Sequence, residues 1–260
     1  MYKEYLDFII DIAKEVGDLQ LSYFRGSNLG IETKSNISDV VTRADKESEA
    51  LIAKAIGERY PDHKILGEEG GFRGNPDSDY LWVVDPLDGT TNYSQGLPIF
   101  SISIALQYKN ETIAGVVYAP YLDEIFIASK GGGAYMKSRT SDLKKIHVSQ
   151  KQQLAASVIA TGFPYDKDVN PDNNTANVTA LAPNVRDIRR LGSAAYDLCC
   201  VACALLDGYW ELSLNLWDVC AGNLIVEEAG GVIHHFRQNR GISIIAGNAS
   251  IVEELKKYVK

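Results

Sequence analysis

Leu81-Trp82-Val83-Val84-Asp85-Pro86-Leu87-Asp88-Gly89-Thr90-Thr91-Asn92 is the stretch on which the reading of this chain turns. Its first four residues are an unbroken apolar run, the pattern of a buried strand, and the strand is expected to give way to a tight turn at Asp85. Pro86 fixes one backbone dihedral, Gly89 permits a conformation that other residues avoid, and the amides beyond it are free to point at an anion. Two unshielded carboxylates held about 4 Å apart repel by roughly 4 kcal/mol at an effective dielectric near 20. A cation is therefore expected between Asp85 and Asp88, and for oxygen ligands alone a hard divalent ion such as magnesium is the natural candidate. The competing reading is a hydrophilic turn, because Asp, Pro and Gly are turn residues.

The chain around this stretch has 260 residues, 45% of them hydrophobic, enough to bury the core of one large domain or two smaller ones. Its formal charge of -8 argues against a nucleic-acid partner, which would need a basic face to release counterions from phosphates. An acidic protein that handles phosphate must carry its positive charge as metal. The N-terminus, Met1-Tyr2-Lys3-Glu4-Tyr5-Leu6-Asp7, mixes charges without the apolar segment of a signal peptide, and the run Leu198 to Leu206 is too short to span a bilayer. A cytoplasmic protein with no membrane partner is expected. Cys200 and Cys203 form a C-x-x-C spacing, but zinc would want further thiolate or imidazole ligands, so these and Cys199 and Cys220 read as buried thiols. His63, His147, His234 and His235 fall in no ligand pattern and read as packing or surface residues.

Upstream, Leu6, Ile9, Ala13, Val16, Leu19 and Tyr23 recur at three- and four-residue steps, which predicts one long amphipathic helix over the first 24 residues, ended by Gly26. A turn-rich, mobile loop is expected from Gly26 to Asp39, with Lys34 near its middle, then a second helix from Ala44 to Arg59, stopped by Pro61. Lys64 to Gly70 reads as a short strand ending in Glu68 and Glu69, and Gly71 to Asp79 as a loop. Downstream, Ile99 to Gln107, Thr112 to Tyr118 and Glu124 to Ser129 predict a meander of antiparallel strands. Gly131-Gly132-Gly133 lacks the Lys-Ser/Thr of a phosphate-binding P-loop and reads as a turn between strands. The polar segment Lys137 to Lys151 is the expected boundary, dividing the chain into an α+β domain (residues 1–145) and an α/β domain (146–260). In the second half, strands are expected at Ser157 to Thr161, Gly208 to Ser213 and Ser243 to Ala246. Helices are expected from the Arg189-Ser193 segment through Leu206, at Trp217 to Ala229 and at Ala249 to Tyr258. This order suits a layered α+β fold better than a regular βαβ series.

Five acids stand where an element starts or stops: Glu68, Asp85 and Asp88 at strand ends, Asp45 and Asp218 at helix starts. Strand ends and helix starts can meet at one sheet edge, where ligand sites collect. Each also has a local explanation. Thr42-Arg43-Ala44-Asp45 fits a capping box, Asp218 suits a helix dipole, and Glu68-Glu69 could be solvated. Glu211 adds a further acid on a strand with Ser213.

Three separated segments resemble the inositol monophosphatase family of metal-dependent sugar-phosphate phosphatases. They are Asp39-Val40-Val41-Thr42-Arg43-Ala44-Asp45 with Gly67-Glu68-Glu69; Trp82 to Asn92; and Trp217-Asp218-Val219-Cys220-Ala221-Gly222 followed by Glu228-Ala229-Gly230-Gly231. The likeness covers nearly the whole chain. It implies a layered αβαβα sandwich, dependence on two or three Mg2+ ions, lithium sensitivity and a homodimer. Under it, Glu68, Asp85 and the Leu87 carbonyl would hold one metal; Asp85, Asp88 and Asp218 a second; and a third, weaker ion would lie near Glu68. Asp45 and Thr90 would orient and deprotonate the attacking water, and the Gly89 and Thr90 amides would receive the phosphate. Lys34 would fall on the family's loop lysine and Glu211 on the acid that binds substrate hydroxyls. Thr90-Thr91-Asn92 looks like the version that hydrolyses inositol monophosphate to myo-inositol and phosphate. Gly162-Phe163-Pro164-Tyr165 and Arg189-Arg190 resemble members that also accept fructose 1,6-bisphosphate, and Arg190 could serve a second phosphate. The alternatives are thus a fructose-1,6-bisphosphatase or dual-specificity sugar phosphatase, a nucleotide 3′,5′-bisphosphate phosphatase, and a non-catalytic regulatory binding protein, since some bacterial relatives bind transcription machinery.

Overall fold

The computed structural model describes residues 2–27, 29–34, 36, 39–237 and 239–260. Of the loop expected from Gly26 to Asp39, residues Asn28, Ser35, Ile37 and Ser38 lie outside the described residues.

Helix α1 (Lys3–Tyr23) keeps the predicted periodicity: Ile9, Ile12, Ala13 and Val16 are buried along one stripe. A two-stranded ribbon, β1 (Glu32–Thr33) with β2 (Val40–Val41), leads to helix α2 (Arg43–Arg59). Then come β3 (Lys64–Gly67), β4 (Gly71–Gly74), β5 (Tyr80–Asp88), the short helix α3 (Thr90–Ser94), β6 (Ser101–Tyr108), β7 (Glu111–Ala119), β8 (Glu124–Ser129), β9 (Gly133–Ser138) and β10 (Ser141–Lys145). The strands β3 to β10 form one sheet in the order β10-β9-β8-β7-β6-β5-β3-β4. From β5 to β10 it is an antiparallel meander, as the spacing of apolar runs implies; β3 lies parallel to β5. Two local expectations are corrected. The segment after Gly71 is not all loop, because β4 folds back antiparallel on β3 as an edge strand. The central strand does not stop before Asp85 but runs on through Asp88.

The second half adds β11 (Val158–Thr161), helix α4 (Thr175–Leu181), β12 (Asp187–Arg189), helix α5 (Ala194–Ala202), β13 (Gly208–Leu214), helix α6 (Leu216–Glu228), β14 (Val232–Arg237), β15 (Ile242–Gly247) and helix α7 (Ala249–Leu255). Its five-stranded sheet has the order β12-β11-β13-β15-β14, with β11 parallel to both neighbours and the other pairs antiparallel.

The layering follows from which faces are apolar. Strand β5 alternates: Trp82 and Val84 pack with Ile9, Val16, Ile52 and Ile56 of α1 and α2, while Leu81 and Val83 pack on the opposite side. A strand covered on both faces must read as a continuous apolar run, which is why the sequence betrays it. The second core cluster joins that opposite face to Leu198, Val201, Leu224 and Ile225 of α5 and α6 and to Tyr209, Ile244 and Ala246 of the smaller sheet. Beyond that sheet, Trp210, Ile245 and Ile159 pack with Leu181 of α4 and with Ile251 and Leu255 of α7. The result is the αβαβα sandwich, in which the middle helices share one core with residues from both halves of the chain. Cys199, Cys200 and Cys220 are buried in it and Cys203 is half-buried, all four as free thiols. His63 also serves packing: its ring stacks between Tyr60 and Tyr80, and its Nδ1 accepts from Trp82 Nε1 at 3.1 Å.

Candidate active site

The edge where the two sheets face α5 and α6 is shaped by two irregular strands. In β5 the partner of Asp85 is Ser103 and the partner of Asp88 is Ser101, so three steps on one strand match two on the other. One extra residue is accommodated at Pro86-Leu87. On a regular strand, residues three apart point to opposite faces; the inserted residue reverses that parity and lets Asp85 and Asp88 enter one cavity. Proline has no N–H to lose from the ladder, so it suits a bulge. Strand β13 repeats the device: Glu211 pairs with Ile244 and Leu214 with Ile242, and Ser213 between them has φ 62°. A left-handed serine costs on the order of 1 kcal/mol or more and is the kind of strain that gathers at functional sites.

These two bulges flank a cavity of about 100 Å3. Glu68, Asp85, Leu87, Asp88, Gly89, Thr90, Arg190, Glu211 and Asp218 all line it. Asp45 and Lys34 stand just behind. Asp45, fully buried, accepts from Thr42 N at 2.8 Å through Oδ2 and from Thr90 Oγ1 at 2.9 Å through Oδ1. The capping box and the functional placement are therefore not alternatives: one oxygen caps α2 and the other holds the Thr90 hydroxyl. Asp218 has the same construction, its Oδ2 accepting from Asn215 N at 2.7 Å in the capping box of α6. Lys34 pairs with Glu68 at 2.8 Å and with Glu69. Asp88 Oδ2 accepts from Ser193 Oγ and from Ala195 N, each at 2.7 Å, at the start of α5. Gly89 has φ 95°, and a side chain there would crowd the carbonyl oxygens of Gly192 at 3.0 Å and Ile99 at 3.1 Å.

The electrostatics are strained in one direction. Burial, then the charges of Glu68, Asp88, Asp218 and Asp45, raise the Asp85 carboxyl well above its ordinary pKa. Asp218 is raised by burial and Asp88, against the Asn215 amide. Burial lifts Glu68 to about 7 although Lys34 opposes it, and lifts Asp88 to about 6 although Ser193, the α5 amides and Arg190 oppose it. Glu211, bonded to Tyr209 Oη at 2.5 Å, is lifted by burial to about 7. Among the described residues, no group of three or more His, Cys, Asp or Glu side chains closes into a ready-made ion cage. Like charges spread apart, and each of these carboxylates has one oxygen tethered by a hydrogen bond of its own.

Asp197 is a site residue that the sequence reading missed. It sits in α5, 1% exposed, on the cavity wall; its Oδ1 has no hydrogen-bond partner among the described residues, and burial raises its carboxyl well above the ordinary range. Its sequence signal is weak, since a lone acid in a small-residue helix gives no spacing to read.

The sequence profile of the inositol monophosphatase family matches residues 1–259. The chain belongs to the inositol monophosphatase family. It is 39% identical over 259 residues to the Nus factor SuhB of Haemophilus influenzae, covering 98% of this chain and 95% of that protein. It is 43% identical over 203 residues to an inositol-1-monophosphatase of Synechocystis, covering 78% of this chain and 69% of the relative. The solved inositol monophosphatase of Anabaena superposes with a TM-score of 0.86 at 38% identity, covering 98% of this chain and 95% of the other. The family is one of metal-dependent phosphatases acting on phosphorylated sugars and polyols. Among the described residues, no helix is long and apolar enough to cross a membrane.

Proposed function

We propose that this chain is a metal-dependent phosphomonoesterase that hydrolyses a small polyol phosphate, inositol monophosphate first, by direct attack of water. The observation that carries the reading is the convergence of Glu68, Asp85, Asp88 and Asp218, from three separate parts of the chain, on one cavity beside the Asp45–Thr90 pair.

The donor set fits a hard divalent cation. It is all oxygen, with Glu68, Asp85 and the Leu87 carbonyl available to one ion and Asp85, Asp88 and Asp218 to another, and these carboxyls raise one another's pKa for want of compensating charge. When bound, Mg2+ would reverse the sign of the site, acidify a water and stabilise the leaving alkoxide. The chain's own groups supply the rest. Thr90 Oγ1, whose proton is held on Asp45 Oδ1, orients the attacking water, and Asp45 receives its proton. The amides of Gly89 and Thr90, freed by the left-handed turn, receive the phosphate oxygens. Glu211 accepts a substrate hydroxyl, Lys34 steadies Glu68, and Arg190 offers a cation to a second anionic group. A homodimer, lithium inhibition and a cytoplasmic setting accompany this reading as family expectations.

Phosphate release with Mg2+ from inositol 1-phosphate, fructose 1,6-bisphosphate and adenosine 3′,5′-bisphosphate tests it. Turnover highest on the first supports the proposal; highest turnover on fructose 1,6-bisphosphate moves the assignment to the dual-specificity reading; no turnover on any refutes hydrolysis. In the last case the relatives named Nus factor SuhB favour a regulatory binding protein.

A further inference from the structure

The segment Phe163–Asn173, between β11 and α4, has no regular helix or strand, yet Phe163, Pro164 and Tyr165 line the cavity. It is closed at its base and tied at its tip. At the base, the buried Asn174 donates Nδ2 to Thr161 Oγ1 at 2.8 Å and to the Gly162 carbonyl at 2.6 Å, while its Oδ1 accepts from Trp210 Nε1 at 2.7 Å. At the tip, Arg240 Nη2 grips both oxygens of Asp166, at 2.6 and 2.7 Å. Arg240 Nη1 reaches the Asp172 carbonyl at 2.9 Å and its carboxylate at 3.3 Å, which Arg237 Nη1 also contacts at 2.5 Å. Isolated surface ion pairs contribute little, but an arginine bridging two carboxylates inside a four-residue network is an arrangement in which they do hold. Asp166 directly follows Tyr165, so the clamp fixes the residue beside it. Tyr165 is 52% exposed at the cavity, whose lining it shares with Glu68, Asp88 and Asp218.

We propose that Tyr165 is a substrate-contacting residue, donating its hydroxyl to a ring hydroxyl of the polyol, and that Arg240 is the positioning residue that holds it there. This rests on the hydrolase reading above. A phenol over the acids suits a neutral hydroxylated ring anchored by its phosphate, because it adds a donor without adding charge. The clamp comes from the turn that follows β14, remote in sequence from every acid of the site, so the smaller sheet fixes the specificity wall while the larger sheet carries most of the acids.

The test compares inositol 1-phosphate with p-nitrophenyl phosphate, an aryl ester without sugar hydroxyls, on wild type, Tyr165→Phe, Arg240→Ala and Arg240→Lys, with melting curves to verify folding. Tyr165→Phe should raise KM for the polyol ester about 10-fold, change kcat less than about twofold, and leave KM for the aryl ester within about twofold. Arg240→Ala should move the same constants in the same direction by about 3-fold, and Arg240→Lys should not rescue it, because one ammonium cannot span Asp166 and Asp172 as the two guanidinium nitrogens do. Unchanged KM in Tyr165→Phe, or an equal rise for both esters, overturns the contact with the ring; a polyol KM unmoved by Arg240→Ala overturns the positioning role. If wild type releases phosphate from neither ester with Mg2+ present, the hydrolase reading fails and takes this inference with it.

Discussion

Asp207 is buried and Asp88 half-buried, and the chain treats the two aspartates in opposite ways. Asp207, at 3% exposed, accepts from Ser149 Oγ at 2.6 Å, Lys151 Nζ at 2.8 Å and Val158 N at 2.8 Å. Burial alone would raise its pKa, but these partners win and hold the carboxyl below the ordinary value. Asp88 also has donors, from Ser193 and Ala195, yet burial lifts it to about 6. Its carboxylate neighbours, Asp85 and Asp218, are raised with it. A structural acid is neutralised by its own fold; the cavity acids are left pushing on one another, which is tolerable where a ligand supplies the missing charge. Residue type is the same at both places, so it does not identify a site by itself. The company differs: a lysine stands beside Asp207, and further carboxylates stand beside Asp88.

The largest expected effect breaks the comparison on activity. Asp88→Asn should cut Mg2+-dependent phosphate release by about 10³-fold or more, with the melting temperature of the metal-free protein unchanged or raised. Asp207→Asn should do the reverse, costing about 1–2 kcal/mol in denaturant unfolding because the carboxylate's charge-assisted bonds to Ser149, Lys151 and Val158 are weakened, with kcat of the folded fraction unchanged. If Asp207→Asn inactivates a stable protein, the division between the two acids fails.

Next in size, Thr90→Ala should lower kcat about 10- to 100-fold and leave Mg2+ affinity near wild type, because the Thr90 hydroxyl bonds the Asp45 carboxylate. An unaltered kcat would remove the pair from the proposed reaction.

The smallest effect sharpens the comparison through pH. A raised folded pKa means that folding takes up protons, so the contributions of Asp88 and Glu68 are fully present below the unfolded value near 4. They are lost as pH rises through about 6 and about 7. Asp207, lowered, contributes above the unfolded value and loses that contribution as pH falls through its folded pKa. The metal-free protein should therefore lose roughly 1 kcal/mol or more between pH 5 and pH 8 from the cavity acids. Saturating Mg2+ should raise the melting temperature more at pH 8 than at pH 5, where protons compete for the same oxygens. Equal gains at both pH values would count against a carboxylate site for the ion.

Much of this was legible in the chain. The apolar run at β5, the periodicity of α1 and the alternation of strand and turn predicted the layers, because burial imposes those patterns directly on composition. The acids were legible as candidates because all but Asp85, which lies inside β5, stand near element boundaries. Gly71–Gly74 was not, since a short, exposed edge strand carries no apolar signature. Asp197 and Arg240 escaped because their roles depend on what lies opposite them in space, at no fixed distance in sequence.

By itself the sequence determined the residue types, the order of the main elements and the family, since local periodicity and motif spacing are properties of the chain. Only the tertiary structure decided which faces those residues take. One inserted residue at Pro86-Leu87 and another at Leu212-Ser213 reverse the side on which the next side chains fall. Whether a strand bulges or runs straight is settled by the strand it pairs with, which no single stretch of sequence contains.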